Sequence, residues 1–185
     1  MAKVFEKIDK KMRAWVSRQH MFFVATAPLA GDGLVNCSPK GLDVFRILGD
    51  HTVAYLDLTG SGVETIAHLK ENGRIVLMFC SFDTAPRIVR FHGLGRVHEA
   101  GSTEYNTLAP HFPQLAGARS IIVVDVQRIS DSCGFGVPLM DFKSERQTLT
   151  DYWSQNGEAF TADYQRQTNA QSVDGLPGFT KQADN

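Results

Sequence analysis

Residues 52–80, TVAYLDLTGSGVETIAHLKENGRIVLMFC, decide the fold class. Thr52–Asp57 is rich in β-favouring residues and reads as a strand. Thr59-Gly60-Ser61-Gly62 is a turn cluster able to cap a helix over Val63–Asn72, with Gly73 where helices commonly end. Arg74–Cys80 then reads as a fully buried strand. One brief helix between strands argues for a small antiparallel barrel rather than a doubly wound parallel sheet.

Upstream, Met21–Ala27 is an apolar run closed by Pro28, and Gly31-Asp32-Gly33 makes a turn before Leu34–Ser38, so a hairpin is expected. After Pro39-Lys40-Gly41, apolar residues run to Leu48 and a Gly49-Asp50 turn. Val4, Ile8, Met12 and Trp15 recur at helical spacing and predict an amphipathic helix over 3–19. Downstream, Arg87–His98 reads as a long strand with Gly93 and Gly95 as bend or bulge points. A second short helix is expected near Ser102–His111 and a further strand at Ile121–Val126. The expected fold is mainly β (α+β), with six or more short strands.

From about Ser144 onward the chain turns polar, which predicts two parts: a domain over 1–143 and a loosely packed extension over 144–185. Leu149, Tyr152 and Trp153 are its candidate anchors.

The 185 residues suit one domain with an extension, and 43% apolar with 21% charged is ordinary for a globular chain. Nineteen basic against 20 acidic side chains give a net charge of −1, which supplies no field for nucleic acid or an anionic membrane. Any anion must be bound locally. Cys37, Cys80 and Cys133 cannot all pair within one molecule, and residues 1–20 lack the apolar core of a leader. These readings predict a cytoplasmic protein with no membrane span.

The histidines show no HxxxH or HExxH spacing and no CxxC accompanies them, so no metal site is expected. GxSxG and GxGxxG are absent, which weakens hydrolase and Rossmann readings. Asn36-Cys37-Ser38-Pro39-Lys40-Gly41 joins amide, hydroxyl and ammonium donors at a strand end. It reads either as a polar corner or as the edge of a site for a ring or phosphate. Leu56–Thr65 places glycines and hydroxyls at a helix start, where free N–H groups and the dipole favour a phosphate, or where Ser61 or Thr59 simply caps the helix. Strand alternation sends Arg87 and Val89 to one face and Ile88, Arg90 and His92 to the other, giving a ligand-facing or a solvated edge. Ser132–Pro138, SCGFGVP, reads as a defined irregular loop.

In this order, NCSPKG (36–41), YLDLTGSGVETIAHLKENGR (55–74), PRIVRFHGLGRV (86–97) and SCGFGVP (132–138) resemble the pyridoxamine 5'-phosphate oxidase-related FMN-binding proteins over about residues 5–142. The resemblance implies a six-stranded antiparallel split β-barrel with a few short helices, forming a homodimer that holds FMN between protomers. It implies cofactor-binding positions at Asn36, Cys37, Ser38, Pro39 and Lys40, at Leu58 and Thr59, at Ser61 and Thr65 of the phosphate-binding turn, at Arg87 and Ile88, and at Cys133 and Gly134. True oxidases of the family usually carry basic side chains where this chain has Glu64 and Thr65, and a basic C-terminal motif that the tail after Phe142 lacks. The expected activity is therefore FMN-dependent oxidation or reduction of a small molecule other than vitamin B6, with NADH or NADPH as a candidate electron donor. Catalytic side chains are left unassigned. The alternatives are a flavin- or haem-binding sensor without turnover, and an interaction protein whose barrel merely dimerises.

Overall fold

The computed structural model describes residues 3–179. Eight strands form one antiparallel sheet: β1 (Lys3–Phe5), β2 (Phe22–Thr26), β3 (Asn36–Lys40), β4 (Phe45–Ile47), β5 (Thr52–Leu58), β6 (Arg74–Cys80), β7 (Ile88–Glu99) and β8 (Ala118–Ser132). Their order is β3-β2-β6-β7-β8-β5-β4, with β1 on β8. Six strands have five residues or more, and β1 and β4 are three-residue additions. The sheet curls into a half-barrel whose terminal strands, β3 and β4, do not pair with each other.

The core lies inside the curl, where Tyr55, Leu77, Phe79, Phe91, Ile122 and Ile129 are among its buried residues. Phe22 stacks on Phe79 and meets Tyr55 edge-on, so a ring cluster ties β2, β5 and β6 together. Helix α2 (Glu64–Asn72) buries Ile66, Ala67 and Leu69 and ends at Gly73, whose φ of 72° is the left-handed geometry expected there. The second helical segment is also where the sequence placed it, as α3 (Thr103–Leu108) followed by a 3-10 turn at Ala109–His111.

Three local expectations change. The N-terminal helix is α1 (Lys10–Val16) alone, because Asp9 caps it by accepting from Met12 N, and residues 3–5 are drawn into pairing with β8. Ile8, Met12 and Trp15 are buried as the helical spacing required, while Val4 is exposed. β3 starts at Asn36 rather than Leu34 and runs through Pro39, which the ladder tolerates because β3 is an edge strand. Neither Ser61 nor Thr59 caps α2; its N-cap is Val63, with no side-chain hydrogen bond.

Among its described residues, 144–179, the C-terminal extension is not loose. It forms α4 (Thr148–Thr168), kinked at Gly157, with Trp153 and Thr161 buried. Trp153 is the anchor, whereas Leu149 and Tyr152 stay exposed. No helix among the described residues is long and apolar enough to cross a membrane.

Candidate functional site

The start of α2, the inward side chains of β3 and the first residues of β8 meet in a polar cleft of about 270 Å³, lined among others by Asn36, Ser38, Lys40, Ser61, Thr65 and Arg119. Alternation along β3 sends Asn36, Ser38 and Lys40 to this side and leaves Cys37 and Pro39 exposed. A larger cavity, of about 610 Å³, lies between α4 and the segment carrying Phe112 and Leu115; among the described residues no lysine or arginine lines it.

At the floor of the cleft, Asp57 is 1% exposed and takes two cations. Lys40 Nζ reaches its Oδ1 at 3.0 Å and Arg119 Nε its Oδ2 at 2.6 Å. Burial pushes the Asp57 carboxyl up, but the Lys40 and Arg119 charges and hydrogen bonds outweigh it and hold the group below its ordinary value of 3.8. Arg119 reaches Asp57 through a bulge. Asp57 pairs with Ser120 and Leu58 with Ala118, which leaves Arg119 without a partner on β5. Its Nη1 donates to Gly62 O at 3.0 Å and to Asn169 Oδ1 at 2.9 Å, and among the described residues Nη2 has no partner. Glu64 also lines the cleft, and its carboxylate accepts from Val173 N at 3.4 Å. The four ionised side chains balance in charge, so anion affinity here rests on hydrogen-bond donors rather than on a net field.

A hydrogen-bonded chain fixes the β3 wall. Asn36 Nδ2 donates to Thr26 Oγ1 at 3.1 Å and to Thr65 Oγ1 at 2.9 Å, while Ser38 Oγ donates to Asn36 Oδ1 at 3.1 Å. The Thr26 hydroxyl, which accepts from Asn36, is also hydrogen-bonded to His68 Nδ1 at 2.9 Å, and His68 Nε2 lies 3.9 Å from Asp174 Oδ2. Burial lowers the His68 pKa against the opposing pull of Asp174, Glu64 and Glu71, which favours the neutral ring. Asn36 and Ser38 are thus committed to one another, and the donors left for a ligand are the Ser61 and Thr65 hydroxyls, the Lys40 ammonium, Arg119 Nη2 and the uncapped N–H groups opening α2.

Of the positions implied by the resemblance, Asn36, Ser38, Lys40, Leu58, Ser61 and Thr65 line this cleft. Thr59 lies behind it, wholly buried: its hydroxyl donates to Gly117 O and accepts from Gln165 Nε2, and its carbonyl accepts from Trp153 Nε1. Arg87, Ile88, Cys133 and Gly134 gather elsewhere, where β7 begins and β8 ends. Arg87 Nη2 pairs with Asp131 at 2.9 Å, and its guanidinium lies 5.1 Å from the Trp15 ring. Ile88 pairs with Ser132, Gly134 lies against the Arg87 backbone, and Cys133 is exposed. Sequence reasoning missed Arg119, Asp57 and Asn169 as members of the cleft and its support. A lone acid inside the apolar strand TVAYLDL, and a lone arginine heading ARSIIVV, were the available signal, because a buried charge needs a partner.

A curled, open-seamed antiparallel barrel with a donor-rich cleft at the start of its short crossing helix defines a split-barrel protein. Residues 8–133 match a family profile described as pyridoxamine 5'-phosphate oxidase. The chain is 41% identical, over 95% of its own length and 77% of the relative's, to "Pyridoxamine 5'-phosphate oxidase family protein ustO" of Aspergillus flavus. Among solved structures it resembles a putative pyridoxamine 5'-phosphate oxidase from Lactobacillus delbrueckii, at 18% identity, 69% and 98% coverage of the two chains and a TM-score of 0.54. It also resembles a pyridoxamine 5'-phosphate oxidase-related, FMN binding protein from Nostoc punctiforme, at 10% identity, 71% and 87% coverage and a TM-score of 0.50. The chain belongs to the pyridoxamine 5'-phosphate oxidase family.

Proposed function

We propose that the chain binds flavin mononucleotide with its phosphate in the cleft at the start of α2, and works as an FMN-dependent oxidoreductase on a small molecule. The observation that carries this reading is the convergence of Lys40 and Arg119 on one buried carboxylate beside an uncapped helix N-terminus. Asp57 holds both cations in place, and each keeps N–H donors to spare. Hydroxyls at Ser61 and Thr65 and the first amides of α2 complete a donor set suited to a phosphate.

The cleft's volume of about 270 Å³ lies near the roughly 300 Å³ lower end of ligand pockets. One chain therefore covers the phosphate end of the cofactor and leaves the ring to be enclosed by a second copy. This supports a homodimer, in which Arg87 and Ile88 reach the flavin and Cys133 and Gly134 approach it from the opposite protomer.

Bound flavin mononucleotide supplies two-electron hydride chemistry at its ring. The protein's part is to hold the phosphate, orient the cofactor and keep a neutral His68 and a committed Asn36 along the β3 wall. A substrate other than vitamin B6 is favoured by the extension: Arg166, the basic residue within α4, pairs with Asp163 rather than with the cleft. NADH or NADPH is the proposed electron donor.

The test is an absorption spectrum of the purified full-length protein, followed by anaerobic titration with NADH and NADPH. A flavin spectrum bleached by one of the two nucleotides is expected. A flavin spectrum that neither reduces would support a non-catalytic flavin protein instead. A haem Soret band, or a colourless protein that takes up no added FMN, would overturn the flavin reading altogether.

A further inference from the structure

The cleft is not completed by the barrel alone. Asn169, the C-cap of α4, is 0% exposed and sits behind the Gly60–Gly62 loop. Its Oδ1 accepts from Arg119 Nη1 at 2.9 Å, and its Nδ2 donates to Gly60 O at 3.0 Å. Because Arg119 Nη1 also donates to Gly62 O, the amide closes a ring of hydrogen bonds joining the guanidinium to both ends of the loop. The Asn169 backbone is pinned in turn. Its N–H donates to Gln165 O at 2.9 Å and its carbonyl accepts from Phe179 N at 3.0 Å. Gly178 packs so closely that a Cβ there would overlap the Asn169 carbonyl and crowd Val63, the N-cap of α2.

The geometry fixes two things that a phosphate would feel. The Gly60 carbonyl is turned inward to Asn169, so in a planar trans peptide the Ser61 N–H is turned the opposite way, away from the buried amide. Meanwhile Nε and Nη1 of Arg119 are both committed, which leaves Nη2 as its nitrogen without a partner among the described residues. Without the Asn169 amide, Arg119 could rotate about its long side chain and the loop, with three glycine and serine positions in a row, would sample other conformations.

We infer that Asn169 is a positioning residue for the phosphate subsite, and that the C-terminal extension thereby sets the preference for a phosphorylated over an unphosphorylated flavin. The inference rests on the FMN reading above and assigns to the extension a part in recognition without direct contact with the cofactor. Orientation is its means: it removes alternatives that the loop and the guanidinium would otherwise populate before binding.

The experiment compares FMN with riboflavin, which share ring and ribityl chain and differ by the phosphate. The full-length chain, freed of co-purified flavin, is titrated with each and followed by flavin fluorescence. Asn169→Ala is expected to weaken FMN by about tenfold, the size of one lost hydrogen bond to a charged group, and to leave riboflavin affinity unchanged. Asn169→Asp keeps the side-chain shape and the acceptor for Arg119, loses the donor to Gly60, and sets a second carboxylate against the guanidinium. It is expected to weaken FMN further and again to spare riboflavin, which keeps the test open should the alanine variant fold poorly. Equal losses for the two flavins, or none for either, in a variant whose parent prefers FMN would overturn the positioning role while leaving the FMN reading intact. A parent chain that binds neither flavin would sink the FMN reading, and the inference with it.

Discussion

Asp57→Ala is expected to destabilise the folded chain by about 3–5 kcal/mol, the cost typical of breaking a buried ion pair by removing one partner. The reason is the arrangement on the cleft floor. Asp57 is 1% exposed and Arg119 5%, so deleting the carboxylate strands a buried guanidinium as well as the Lys40 ammonium. Urea denaturation measures it, as a lower midpoint at an unchanged slope. Set against the roughly 5–15 kcal/mol of a typical domain, the loss is a large share. The same carboxylate gives stability a pH dependence whose sign is fixed. Its pKa is lower in the folded chain than the ordinary 3.8, so its contribution is fully present above that ordinary value and is lost as pH falls toward and through the lower folded one. Asp57→Asn should therefore flatten the acid limb of the stability profile relative to the parent.

Trp153→Ala should cost a similar amount, about 3–5 kcal/mol, as large-to-small changes at buried tryptophans do. The indole lies on Gly117, where a Cβ would overlap its ring, and Nε1 donates to Thr59 O at 2.9 Å in the interior. Removing it opens a void and leaves a buried carbonyl unpaired. Tyr152, beside it in sequence and exposed, is the control: Tyr152→Ala should cost about 1 kcal/mol or less, the value of its edge-on contact with Trp153. Thermal or urea unfolding of the two variants separates an extension built into the domain from one merely tethered to it. Equal, small effects would restore the loosely packed arm that the polar composition suggests.

That contrast marks where sequence stops being informative. α2 and its left-handed Gly73, the β6 strand and the helical turn after Ser102 are all set by local pattern: hydroxyls and glycines at ends, apolar residues at the right period. Alternation along β3 likewise foretells that Asn36, Ser38 and Lys40 share a face. The extension defeats such reading because two buried side chains, Trp153 and Thr161, hold a helix of 21 residues, and the remaining ties are hydrogen bonds to residues about a hundred positions away. Arg119 is hidden for a different reason. It points into the cleft only because the ladder slips by one residue at Asp57/Leu58, and a one-residue slip changes which face a side chain takes. Thr59 stands just past the same slip, at the end of a glycine-rich motif that reads as a ligand loop, yet is buried against Gly117 and Gln165.

Amide hydrogen exchange with and without saturating FMN tests the location of the cofactor's phosphate most directly, because the N–H groups opening α2 have no helix partner of their own. Exchange should slow across residues 61–66 on adding FMN and much less on adding riboflavin. Tight FMN binding with exchange there unchanged, and protection confined to other segments, would contradict the placement of the phosphate between Lys40, Arg119 and the start of α2.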